Sequence, residues 1–201
     1  DRTWIVLDAV DGRVHYAELG RLKPADMPVR GMLGALGGDT LQEKPSAVPH
    51  LHVLSPVDVQ RHTAYEGPTW LDEAIITKWR PEAGLRGFAT ELQACIAARA
   101  DWLAGRQLAE IAANGDVTPS PTMMTELRQR ETQRLAQDLA RHLGAEFMPA
   151  APGTRISGIY DRALSTPTGK IAVIRREDTF TLAPWKPALE PMRGLTVTAT
   201  I

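Results

Sequence analysis

At 201 residues, with 43% hydrophobic and 23% charged side chains, the chain has the composition of an ordinary globular protein with a core of its own. Its formal charge of −1 excludes a global field drawing it to nucleic acid or anionic lipid, though not a local basic patch. The single cysteine, Cys95, excludes an intrachain disulfide and fits a reducing compartment, so a cytoplasmic location is expected. No apolar run approaches the ~18 residues of a membrane span, and no membrane insertion is expected. The chain begins at Asp1 without a methionine and is expected to be a piece of a longer protein.

The first elements are strands. Thr3 to Ala9 and Arg13 to Leu19 are β-prone runs flanking Val10-Asp11-Gly12, and Asp-Gly at that place predicts a hairpin with a type I′ turn. A loop rich in Pro and Gly follows, with short strands expected at Gly31 to Leu36 and Val48 to Leu54. Residues 1–54 thus read as a β-rich N-terminal unit.

Residues 55–149 read as helical. Ser55-Pro56-Val57-Asp58 and Thr69-Trp70-Leu71-Asp72 both have capping-box spacing, which makes Asp72 a helix cap rather than a catalytic acid. Phe88, Leu92, Cys95, Ile96, Arg99 and Leu103 follow helical spacing and predict one buried stripe. Asn114-Gly115 reads as a helix stop. Ser120-Pro121 opens the longest helix, which runs through Leu127, Leu135, Leu139 and Leu143 to Gly144. Its arginines are balanced by Glu126, Glu131, Asp138 and Glu146, the pattern of a solvated face.

From Arg155 onward the chain returns to short β-branched segments separated by Gly, Pro and Thr. Four strands with a helical turn near Pro187 to Met192 predict a small antiparallel, barrel-like (SH3-like) unit over residues 150–201. The order strands, helices, strands makes the fold class α+β.

Three signals carry candidate chemistry. His50-Leu51-His52 on a strand points both imidazoles to one face, a geometry able to hold a divalent metal, with His62 and Tyr65 shortly downstream. Two ligands fall short of a complete site, and the competing reading is two polar residues on an edge strand. Thr168-Gly169-Lys170 has the end of a phosphate-binding loop but Leu164 stands where the leading glycine belongs, so it reads as a turn. Between Arg155 and Arg193 there are seven basic residues against four acidic; Arg162, Lys170, Arg175, Arg176 and Lys186 are the candidate DNA contacts. Trp185 between prolines reads as a core plug and Tyr160 as packing, each with a functional alternative (a base-stacking platform, a nucleophile). No nucleotide, zinc or hydrolase fingerprint is found, and no cofactor is expected.

Several stretches carry a resemblance. Val59-Gln60 followed by Tyr65-Glu66-Gly67-Pro68-Thr69-Trp70-Leu71-Asp72 resembles the "Q…GxTWLD" segment of the uncharacterised C-terminal region of conjugative relaxases, the mobilisation nucleases of plasmids and integrative elements. Val6 to Tyr16 looks like its "VVDGxDGRxHY", Gly87-Phe88-Ala89-Thr90-Glu91-Leu92 like "GFGxEV", and Leu127-Arg128-Gln129-Arg130-Glu131 like "LRRRE". Ser157-Gly158-Ile159-Tyr160 looks like "xGxY", Thr168 to Ala172 like "SGRFA", and Phe180 to Glu190 like "FxLVPWxPxLE".

The resemblance implies a non-catalytic accessory region supporting DNA transfer. It would bind DNA or dock onto the transfer apparatus, for example a type IV secretion coupling protein. The nicking transesterase of such relaxases, with its tyrosine and metal-binding histidines, belongs to a domain expected before Asp1. His50 and His52 depart from the family's pattern there, and the family's basic tail would follow Ile201. The alternatives are a metal-dependent DNA-nicking enzyme built on His50, His52 and Tyr65, and a scaffold that binds protein only.

Overall fold

The computed structural model describes residues 2–22, 27–37, 50–82, 84–151 and 153–201. The chain is α+β, with strands at both ends and helices between them. It divides into two compact units, Asp1–Tyr65 with Thr69–Met123, and Glu66–Pro68 with Met124–Ile201. Among the described residues no helix is long and apolar enough to cross a membrane.

The first unit opens with β1 (Thr3–Asp8) and β2 (Val14–Gly20), paired antiparallel. The expected hairpin is present, but its turn is not type I′. Ala9 N–H donates to Arg13 O at 2.9 Å and Gly12 N–H to Ala9 O at 3.1 Å, and only Gly12, at φ +75°, is left-handed. This is a three-residue loop closed by a glycine bulge, which needs one positive φ rather than two. β3 (Leu33–Gly37) and β4 (His50–Ser55) form a second antiparallel pair. Residues 38–49, where the second of the two expected strands was to begin, lie outside the described residues.

The helix expected from Ser55 is a single 3-10 turn, Val59–His62, capped by Asp58, whose Oδ1 accepts from Gln60 N–H at 2.9 Å. Ser55 turns inward instead and is fully buried. The second capping box forms as expected: α1 (Trp70–Ile76) starts at Thr69, whose N–H donates to Asp72 Oδ2 at 2.7 Å. α2 (Phe88–Ala104) buries Leu92, Cys95, Ile96, Arg99 and Leu103 of the predicted stripe, while Phe88 at its start is only half-buried.

Asn114-Gly115 does not stop a helix. α2 has already ended before Gly105, and Asn114-Gly115 forms the tip of a hairpin between β5 (Ala109–Ile111) and β6 (Val117–Pro119). The physical reason is local. Ala112 N–H donates to Asp116 O at 2.9 Å, Gly115 N–H donates to Ala112 O at 2.8 Å, and Gly115 is left-handed at φ +84°. That is the bonding of the first hairpin repeated, with Asn114 in the place of Asp11.

α3 (Met123–Leu143) begins where expected, with Ser120 Oγ accepting from Thr122 N–H at 3.2 Å. It ends at Gly144, left-handed at φ +61°, whose N–H donates to Ala140 O at 2.9 Å. The second unit continues through β7 (Glu146–Phe147), β8 (Arg155–Thr166), β9 (Gly169–Arg176), β10 (Thr179–Pro184) and β11 (Thr196–Thr200). A 3-10 segment at Pro187–Met192 supplies the expected helical turn.

These strands form one five-stranded sheet in the order β11-β8-β9-β10-β7, open at both edges rather than closed as a barrel. β7 joins β10 in parallel, a pairing that short-range sequence pattern does not signal. One face buries Val173 and Phe180 against Ala136 and Leu139 of α3. The other buries Tyr160, Ala172, Ile174, Ala183 and Val197, with Trp185, Leu189 and Met192 packed over them.

Candidate functional site

The five basic residues expected to grip DNA do not share a surface. Cross-strand partners project from the same side of a sheet. Arg162 stands opposite Val173, and Arg175 opposite Phe180, which puts both on the α3 face. Lys170 and Arg176 alternate with them on the Tyr160 face, and Lys186 lies past the end of β10. Arg162 Nε is 2.9 Å from Asp161 Oδ2, so its charge is matched locally. Lys170 Nζ sits 4.5 Å from the centre of the Trp185 ring, whose Nε1–H donates to the Tyr160 hydroxyl at 3.1 Å. Trp185 is half-buried against the core and Tyr160 is buried.

The histidines fare differently from one another. His52 is exposed on β4 opposite Ala35, while the side chain of His50 lies outside the described residues. His62 is fully buried, its Nε2 2.9 Å from Ser55 Oγ, and cannot turn outward to complete a ligand set. Burial, and next the Arg99 charge, push its pKa down to about 4. Tyr65 offers its carbonyl to Arg99 Nη1 at 2.8 Å. Among the described residues no group of three or more His, Cys, Asp or Glu side chains could hold a metal. Burial pushes the Cys95 thiol up, so it stays protonated and unreactive at neutral pH.

The feature with the most chemistry is a pocket inside the first unit. It has a volume of about 460 Å³ and walls of Leu7, Leu33, Leu54, Trp70, Trp79, Phe88 and Leu92, with Asp8, Asp11 and His15 also lining it. Three local devices build it. The first is the hairpin register, which sets His15 opposite Leu7 and so on the inward side of β2. The second is the end of α1. Trp79 N–H donates to Ala74 O at 2.9 Å and Lys78 N–H to Ile75 O at 3.2 Å, with Lys78 left-handed at φ +56°. That closure returns the chain on itself and brings Trp79 edge-on to Trp70, with ring centres 5.4 Å apart at 72°. The third is Gly87, left-handed at φ +65° before α2, where a Cβ would stand 3.1 Å from Asp8 Oδ1.

At the hairpin loop, Asp11 Oδ2 is 2.8 Å from His15 Nε2, and Oδ1 accepts from Arg13 N–H at 3.0 Å. The hydrogen bond from His15 is the main reason the Asp11 carboxyl is held below its usual range. A pocket of this size, largely apolar with a few converging polar groups, is the usual form of a small-molecule site.

The family model for DUF3363, described as a protein of unknown function, matches residues 38–201, well over half of the chain. The chain belongs to the DUF3363 family. No curated protein matches it, and neither does any solved structure. The DUF3363 match contains Trp70, Trp79, Phe88 and Leu92 of the pocket, while the wall made by Leu7 to His15 precedes it. Sequence reasoning used Asp11 only as a turn residue and passed over Asp8, His15 and Trp79. A signal was available: His15 falls on the inward side of a strand, four residues after the aspartate that opens the turn.

Proposed function

We propose that this DUF3363 chain is a non-catalytic accessory region of a conjugative relaxase, acting in the cytoplasm by docking onto a protein of the transfer apparatus. The setting comes from the sequence resemblance. The observation that carries docking is the outer face of the β1–β2 hairpin, where Trp4 is 62%, Val6 64%, Val14 55% and Tyr16 74% exposed. Register puts Val6 opposite Tyr16 and Asp8 opposite Val14, so these side chains form one continuous face with Trp4. Large aromatic residues supply most of the binding energy in protein interfaces, and a contiguous apolar patch of this kind marks such a site.

DNA binding is the weaker arm of the proposal because the basic residues are divided between two sheet faces. Affinity that depends on counterion release scales with the number of phosphates contacted together, and neither face presents more than a few cations. A pull-down with a type IV coupling protein tests docking, and its failure under conditions where the chain is folded refutes it. Fluorescence anisotropy with single-stranded and duplex DNA at two salt concentrations tests the other arm. Tight, strongly salt-dependent binding there would replace docking by a DNA grip.

A further inference from the structure

The β1–β2 hairpin has one edge whose main chain is unpaired, and its open groups can be assigned residue by residue. Ala9 N–H donates to Arg13 O, which makes these two a hydrogen-bonded pair. Bonded and non-bonded pairs alternate along an antiparallel ladder. Leu7–His15 and Ile5–Ala17 are therefore bonded pairs, and Val6–Tyr16 and Trp4–Glu18 are not. The N–H and C=O of Trp4 and of Val6 thus point away from β2. No strand but β2 pairs with β1, and among the described residues nothing bonds to those groups. They open onto a groove of about 330 Å³ lined by Thr3 to Leu7 on one side. Its other side is Met27 to Gly34 with Leu51 and Val53, of which Met27, Val29 and Val53 are exposed. An open edge is a template for another strand, and proteins commonly blunt it with charge or proline. Neither interrupts Thr3 to Leu7, an uncharged run of β-prone residues.

We propose that this groove takes an extended, uncharged peptide segment of a partner protein, added as a third strand beside β1. The inference rests on the hairpin edge and does not require the relaxase reading. The peptide's main chain bonds the N–H and C=O of Trp4 and Val6, which supplies affinity without regard to sequence. Its side chains alternate. One row continues the exposed face of Trp4, Val6 and Tyr16, and the other falls on the side of Ile5 and Leu7. β-branched or aromatic residues suit both rows, because these neighbours are apolar or aromatic. A second copy of the chain fits less well: pairing β1 with β1 would bring two walls of Met27 to Gly34 into one groove.

Fluorescence anisotropy of the full chain with a labelled Thr-Val-Thr-Val-Thr-Val peptide tests this. The peptide is expected to bind saturably, and the same sequence N-methylated at every residue to bind roughly ten-fold more weakly, since it can donate no main-chain hydrogen bond. Val6→Pro removes a donor that faces the groove and takes no part in the β2 ladder, a place where an edge strand tolerates proline. It should weaken the peptide roughly five-fold or more, and an unchanged thermal transition verifies its fold. No saturable binding, equal binding of the N-methylated peptide, or undiminished binding by folded Val6→Pro would each overturn the proposal. The chain alone should be monomeric in light scattering, and a dimer broken by Val6→Pro would replace the peptide by a second copy. None of these outcomes uses the coupling protein, so this proposal and the docking reading fail separately.

Discussion

Arg99 on α2 and Asp72 on α1 form a two-point ion pair in the interior of the first unit, Nε to Oδ1 at 2.7 Å and Nη2 to Oδ2 at 2.9 Å, with both side chains 0% exposed. The remaining groups are satisfied around them. Asp72 Oδ2 also accepts from Thr69 N–H and Oγ1–H, Arg99 Nη1 donates to Tyr65 O, and the guanidinium lies 4.4 Å from the Trp102 ring centre. Removing one partner leaves the other as an uncompensated buried charge, so Arg99→Met should destabilise the chain by about 3–5 kcal/mol. The Arg99→Met, Asp72→Leu double variant should recover part of that loss, though not the α1 cap. Denaturant midpoints of the two variants check both statements.

His62 makes stability depend on pH. Its pKa falls from 6.5 to about 4 on folding, through burial first and the Arg99 charge second. The unfolded chain therefore binds the proton more readily than the folded one, and protonation favours unfolding. The contribution is whole above pH 6.5 and is lost as pH falls to about 4. His62→Asn should flatten that part of the profile, by an amount on the order of 2 kcal/mol, when urea unfolding is compared at about pH 7 and about pH 4.5.

Lys78 holds a left-handed conformation at the end of α1 that glycine adopts without strain. Lys78→Gly is expected to stabilise the first unit by about 0.5–1 kcal/mol, and Lys78→Val to destabilise it, in thermal unfolding. Equal effects from the two would mean that the backbone there is not the constraint on Trp79.

Gly158 answers to a different limit. Its φ is not positive, but a Cβ on it would meet Arg175 O at 2.5 Å and Ile174 Cγ2 at 2.9 Å. The first of these is backbone of the neighbouring strand and cannot move aside. Gly158→Ala should cost about 1–3 kcal/mol of stability, as an overpacked site does, with loss of amide protection along β8 and β9 in hydrogen exchange.

Trp4 and Tyr16 are exposed enough that replacing them changes stability little, within about 0.5 kcal/mol. Trp4→Ser with Tyr16→Ser should abolish capture of the coupling protein while leaving the thermal transition in place. Capture that survives the double variant would move the docking surface elsewhere.

What could be read from the residues alone was whatever a short segment decides for itself. The Thr69 to Asp72 box, the Ser120 start and Gly144 end of α3, and the strands between Arg155 and Thr200 all depend on hydrogen bonds or φ preferences within a few residues. Two misreadings were of the same local kind. Asp-Gly and Asn-Gly are both turn signals, and only the flanking bonds distinguish a type I′ turn or a helix stop from the three-residue loop both adopt. The buried stripe of α2 was visible, Arg99 included, because helical spacing marks a face whatever the residue on it.

Tertiary structure alone decided the rest. Arg99 found its partner 27 residues away, β7 paired with β10 across the length of β8 and β9, and the sheet divided Arg162 and Arg175 from Lys170 and Arg176. The pocket, too, exists only because β1, β2, α1 and α2 of one unit bring Leu7, His15, Trp79 and Phe88 together. Such contacts are chosen by competition among many long-range pairings, in which burial and loop closure outweigh local preference. A segment carries its own turns and caps, but not the identity of the segment it will lie against.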